Sequence, residues 1–254
     1  MKPIFASLLL LAFAPAQDAA DVVRSEDLRI GQDANRRYFL IGPQKKGAKA
    51  PKAGYKLLVV LPGGDGGDGF HPFIKRVWKH SLSEEYLVAQ PVSVEWTPGQ
   101  FDKTVWPTKK SPVDGMKFTT EEFVAEVIQE VAKRFKVDAR HVFTLSWSSG
   151  GPPAYLLSLQ EKRLVTGSFI SMSVFYETNL PPLKNARGYA YYLHHSPEDK
   201  VCDIGLARKA RDKLKENGAK VEFAEYEGGH GWKGEDVFGQ IRTGFEWLEK
   251  SARR

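Results

Sequence analysis

Short continuous apolar runs alternate along the chain with longer stretches whose apolar residues recur at helical spacing. The first strand-like run covers residues 36–41, after a polar leader at 17–35. Residues 55–61 are apolar with hardly a break, as a central strand covered on both faces must be. Further strands are predicted at 86–90, at 141–145, within 164–175, at 188–193 and at 221–226, the last alternating as an edge strand does. Helices are predicted at 72–82, from Pro152 to about residue 162, at 203–216 ending on Asn217-Gly218, and at 235–250. Another is opened by the capping box Thr119-Thr120-Glu121-Glu122 and carries Phe123, Val124, Val127, Ile128, Val131 and Phe135 at helical spacing. Strands alternating with helices make an α/β protein with a mainly parallel sheet and helices on both faces. No internal repeat and no second domain is visible, so residues 17–254 read as one domain.

The first sixteen residues stand apart. Lys2 precedes an apolar stretch from Ile4 to Phe13, and Ala14-Pro15-Ala16 supplies small residues for cleavage. This pattern predicts a secretory signal peptide over 1–16 and a secreted or periplasmic protein. The stretch is too short for a membrane span, which needs roughly 20 apolar residues. With no cysteine directly behind it, a stable lipid anchor is not expected.

Composition narrows the picture only slightly. A hydrophobic fraction of 42% and a charged fraction of 27% are globular values. The net charge of +6 is scattered, and no basic stripe interleaved with aromatics suggests a nucleic-acid groove. Cys202 is the single cysteine, so no internal disulfide forms and stability must come from the core. It reads as a small buried residue or, in the alternative, a reactive thiol.

The candidate chemistry centres on Ser146-Trp147-Ser148-Ser149-Gly150-Gly151, between a strand and a helix whose first turn holds Pro152 and Pro153. A serine on a sharp strand-to-helix turn is a nucleophile elbow, and the crowding there demands small neighbours two residues away. Ser148 meets that demand with Ser146 and Gly150; Ser149 would have Trp147 in the way. An acyl-transfer serine needs a base and an orienting acid. Among six histidines, His230 is best placed, following the last strand with Gly229 and Gly231 beside it. Asp199, after the strand at 188–193, is the acid, with Glu198 and Asp203 as competitors. The glycine-rich segment 62–69 breaks the central strand. It lacks the Gly-Lys-Ser/Thr ending of a phosphate loop, and as a calcium-binding glycine-aspartate repeat it has only one copy. Its position favours a loop that offers backbone amides to an oxyanion. The long segment 91–118, with four prolines and with Trp96, Phe101 and Trp106, is either a pocket wall or aromatic packing. Trp96, Trp106 and Trp147 are the candidate substrate contacts.

On these residues the chain resembles α/β-hydrolase-fold serine esterases of the secreted branch, similar to polyhydroxybutyrate depolymerase-like and feruloyl or acetyl-xylan esterases. The resemblance runs over about residues 36–250 and rests on Leu61-Pro62-Gly63-Gly64, Ser146 to Gly151, His195 to Val201 and Gly229-His230. Pro62 stands where that family often has histidine, and Ser146 replaces the first elbow glycine. The resemblance implies hydrolysis of a short-chain or aromatic acyl ester, on a small molecule or a polysaccharide. Ser148 would be the nucleophile, His230 the base and Asp199 its orienting acid, with the amides of Gly64 and Ser149 as the oxyanion donors and no metal or organic cofactor. A non-catalytic exported binding protein that retained the fold, or a secreted peptidase of the same fold, is the alternative.

Overall fold

The structure, a computed structural model, describes residues 22–252; the expected signal peptide lies outside them. Strands β1 (Glu26–Arg29), β2 (Arg37–Ile41), β3 (Tyr55–Leu61), β4 (Tyr86–Pro91), β5 (Val137–Trp147), β6 (Gly167–Ser171), β7 (Ala190–His195) and β8 (Lys220–Glu225) form one sheet. Their order across it is β1-β2-β4-β3-β5-β6-β7-β8. The β1–β2 and β2–β4 pairs are antiparallel, and every pairing from β4 to β8 is parallel. The helices are α1 (His71–Ser81), α2 (Thr120–Arg134), α3 (Gly151–Ser158), α4 (Ile204–Glu216) and α5 (Val237–Ala252).

Alternation along β3 explains the layers. Leu57, Val59 and Leu61 face a core shared with Phe123 and Val127 of α2, Tyr155 of α3 and Leu214 of α4. Leu58 and Val60 face the opposite core, with Ile74 and Val77 of α1 and Ile241 and Phe245 of α5. A strand buried on both sides has no polar face to show, which is why its sequence is an unbroken apolar run. Burying each such side chain contributes about 1.5–3 kcal/mol.

Three boundaries differ from expectation. The polar leader contains β1, whose residues are mostly exposed. This edge strand is held by charge rather than by apolar side chains: Arg37 grips Asp27 at 3.0 Å and Arg134 grips Glu26 at 2.7 Å. Charged edges of this kind also resist pairing with other chains. Strand β5 extends beyond the predicted 141–145 in both directions, reaching Trp147. Helix α3 stops at Ser158 instead of near residue 162. Tertiary partners satisfy its last carbonyls: Arg163 donates to the Ser158 carbonyl at 3.5 Å and Asn185 to that of Leu159 at 2.8 Å. No intrahelical continuation is then needed.

The capping box at α2 forms fully. Thr119 Oγ1 accepts the Glu122 amide at 3.3 Å, and Glu122 Oε2 accepts the Thr119 amide at 2.9 Å. Thr119→Ala should lower unfolding stability by about 1 kcal/mol, read as a reduced urea midpoint at unchanged slope.

Candidate active site

The site assembles where β5, β6, β7 and β8 end, on the carboxyl side of the parallel sheet, where folds of this type carry their ligands. β5 runs straight into a turn at Ser148, whose φ of 50° is rare for a residue with a side chain. The turn closes because its neighbours lack side chains. A Cβ on Gly150 would sit 2.0 Å from the Leu61 carbonyl oxygen, and one on Gly151 would sit 1.9 Å from Ser173 Oγ. Ser146, one residue before the end of β5, places its hydroxyl 3.5 Å from the Phe169 carbonyl of the neighbouring β6.

Ser148 Oγ lies 3.2 Å from His230 Nε2, and His230 Nδ1 lies 2.8 Å from Asp199 Oδ2. The structure thus brings together three side chains that the sequence separates by up to 82 positions. Asp199 Oδ1 accepts the amides of Val201 and Cys202, each at 2.8 Å. Burial penalises this carboxylate, but the Cys202 amide, the His230 ring and the Val201 amide outweigh it and hold its pKa below the ordinary value. An aspartate kept ionised beside Nδ1 fixes the proton there and leaves Nε2 free to accept one. The competing carboxylates have other partners. Glu198 accepts the Gly228 amide at 2.9 Å, and Asp203 caps α4 through the Gly205 amide at 2.5 Å.

Other histidines serve the framework. His71 binds Gln90 and Ser25 at 2.8 Å each. His194 binds Ser171 and Gln240 and stacks on Tyr226; burial, against the opposing hydrogen bond with Gln240 and with help from the His195 charge, lowers its pKa to about 4, so it stays neutral. His195 Nε2 meets the Cys202 carbonyl at 2.8 Å and so braces the turn that carries Asp199. Cys202 is buried, and burial followed by the Asp199 charge pushes its thiol up to about 11.

Gly64 and Ser149, the expected oxyanion donors, both line a cavity of about 710 Å³ that opens onto Ser148. Ser149 Oγ donates to the Gly64 carbonyl at 3.0 Å, joining the glycine-rich loop to the elbow. Gly63 touches the elbow so closely that a Cβ there would meet Ser148 Cβ at 2.9 Å. The three tryptophans part company. Trp106 lines the cavity and donates to the Pro62 carbonyl at 2.9 Å. Trp96 packs edge-on against Phe118 and is not among the lining residues. Trp147 points away from the cavity into the opposite core, between Phe70, Phe73 and Trp232, because the residue before Ser148 takes the other face of the strand. Neither Trp96 nor Trp147 is therefore positioned as a substrate contact. The walls also include Phe101, Tyr155, Tyr176 and Val201.

Sequence reasoning missed the residues after β6. Ser173 Oγ donates to the Ser148 carbonyl at 2.7 Å. Met172, held at a φ of 40°, accepts the Gly231 amide on its sulfur at 3.1 Å. One turn therefore steadies both the serine and the histidine loop. Ser196 and Tyr226 complete the hold on that loop, through the Gly229 amide and carbonyl. Nothing in an apolar run ending Ile-Ser-Met-Ser marks these roles.

No family model matches the chain, and no curated protein sequence does. Solved structures do match. A carboxylesterase from Bacillus cereus superposes with a TM-score of 0.62 at 15% identity, over 84% of this chain and 93% of that one. A carboxylesterase from Mesorhizobium loti gives 0.62 at 18% identity, over 89% and 98%. MGS-M1, an α/β hydrolase from a Medee basin deep-sea metagenome library, gives 0.64 at 13% identity, over 91% and 98%. Together with the strand order, these likenesses establish an α/β-hydrolase fold.

Met172→Leu keeps the volume but removes the sulfur acceptor. Amide exchange across residues 228–232 should then speed up about fivefold, the equivalent of ~1 kcal/mol, while the melting temperature changes little. Hydrogen–deuterium exchange with mass analysis measures it.

Proposed function

We propose that this protein is a serine hydrolase that cleaves carboxylic esters through an acyl-serine intermediate. The observation that carries the reading is the continuous relay from Asp199 Oδ2 through His230 to Ser148 Oγ, at 2.8 and 3.2 Å, opening onto a cavity. In this mechanism Ser148 attacks the ester carbonyl as His230 Nε2 takes its proton. Asp199 holds the imidazole tautomer and balances the charge that develops on the ring. The amides of Gly64 and Ser149 receive the oxyanion, each such donor being worth roughly 3 kcal/mol. The imidazolium then protonates the departing alkoxide. Water, deprotonated by the same histidine, releases the acid.

The lining favours a short-chain or aromatic acyl group. Phe101, Trp106 and Tyr155 offer flat apolar surface, which suits phenolic rings and sugar faces. Tyr176 and Val201, at 53% and 70% exposure, are two of the few large apolar side chains left open to solvent, and both border this cavity. Exposed apolar groups beside a cleft mark a contact surface. The alcohol side of the ester is accordingly a small molecule or a decorated polysaccharide. The apolar stretch and small-residue site in residues 1–16 support export to the periplasm or beyond. Among the described residues no helix is long and apolar enough to cross a membrane.

A fluorophosphonate probe tests the reaction class directly. Wild-type protein should label at Ser148, and Ser148→Ala should lose labelling and at least ~10⁴-fold in turnover. Ser149→Ala breaks only the tie to Gly64 and should cost about tenfold, near one hydrogen bond. Folded wild type that never labels would mean a binding protein, and equal losses in the two variants would misplace the nucleophile.

A panel of acetyl, butyryl, feruloyl and palmitoyl esters tests the substrate class. Acetyl or feruloyl should lead and palmitoyl should trail. Trp106→Ala should change the ranking, whereas Trp96→Ala should lower stability and leave the ranking alone. A clear preference for palmitoyl would overturn the assignment.

A further inference from the structure

Cys202 sits inside the catalytic cluster and has no part in the relay. The turn that starts at Asp199 brings its thiol beside the Ser148 hydroxyl. One carboxylate oxygen of Asp199, the Cys202 sulfur and one ring nitrogen of His230 all lie within 4.8 Å of one another. The backbone beneath the thiol is fixed at both ends, by the Cys202 amide on Asp199 Oδ1 and by His195 on the Cys202 carbonyl.

We propose that Asp199, Cys202 and His230 form a three-donor site for a thiophilic divalent cation, zinc above all, and that filling it switches the hydrolase off. The donor set is the argument. One sulfur, one imidazole nitrogen and one carboxylate oxygen suit zinc, whereas magnesium and calcium call for oxygen alone. Tetrahedral zinc with bonds of about 2.0–2.3 Å spaces its ligands roughly 3.5 Å apart. Closing from 4.8 Å to that spacing takes a contraction of at most ~1.3 Å. His230 can supply it, since Gly229 and Gly231 on either side hold positive φ values of 77° and 118° that only glycine adopts freely. Asp199 arrives with Oδ1 already held by two amides, the kind of outer support that metal-binding carboxylates use. Charge also balances. The cation displaces the thiol proton to solvent, and thiolate plus carboxylate neutralise its two positive charges, so burial adds no net charge. With His230 committed to the metal, no base remains to take the Ser148 proton.

The cation site needs only the three donors; the loss of turnover rests on the hydrolase reading above. Equilibrium dialysis against zinc and, separately, magnesium tests the first, and fluorophosphonate labelling with and without zinc tests the second. Wild type should bind one zinc per chain and no magnesium. Cys202→Ala should bind zinc at least tenfold more weakly, and so should His230→Ala. Zinc should suppress labelling of wild type at a concentration at least tenfold below that needed for Cys202→Ala. Cys202→Ser, which preserves the shape of the turn, replaces the alanine variant if that fails to fold. Equal zinc affinity in wild type and the cysteine variants would overturn the proposal, as would bound zinc that leaves labelling intact. Absence of labelling in zinc-free wild type would instead remove the hydrolase reading, and dialysis would still decide whether the cation site exists.

Discussion

The turn at Ser148 is the constraint on which the site depends. A serine with positive φ directly after a buried strand is unfavourable by itself, of order 1–3 kcal/mol. It persists because the surroundings leave no other path. Gly150 lies against the Leu61 carbonyl at the end of the central strand, and Gly151 lies against Ser173. These contacts press the elbow between β3 and β6, the two neighbours of β5 in the sheet. Packing of the core thus holds the strain, and the strain lifts the hydroxyl out of the strand toward the cavity.

The other reactive groups are placed by hydrogen bonds rather than by apolar packing. Asp199 is held by two amides of its own turn, and the histidine loop by a thioether, a serine hydroxyl and a tyrosine. The division has a physical reason. On the proposed hydrolase reading, a nucleophile must be rigid, and close packing supplies that; a histidine that exchanges partners during the reaction is suited by a glycine-flanked loop tied by single hydrogen bonds, which permits small movements. Met172 and Ser173 belong to both systems, linking the packed Ser148 turn to the looser His230 loop.

The long segment between β4 and α2 shows the same economy. Its tryptophans divide: Trp96 anchors the segment on Phe118, and Trp106 closes the glycine-rich loop while facing the cavity. A wall built on one anchored aromatic and one shared aromatic can vary at Phe101 and its neighbours without disturbing the elbow.

The sequence alone determined the class of fold and the order of its elements, because period and run length report burial directly. It also pointed to Ser148, Asp199 and His230, since each follows a strand that ends on the same side of a parallel sheet. The α2 capping box was legible because it is a local exchange of two hydrogen bonds. What tertiary structure decided depends on contacts between distant segments. Strand β1 has no apolar signature, for it is held by arginines 10 and 108 positions away. The end of α3 was set by Arg163 and Asn185, and the hold on His230 by Met172 and Ser196, none of which a local pattern reveals. Trp147 was expected among the substrate contacts, yet strand alternation combined with the turn sends it to the opposite core. The thiol of Cys202 beside the three reactive groups was equally invisible, because spacing along a chain fixes which residues are neighbours in a turn and not which side chains meet across three of them.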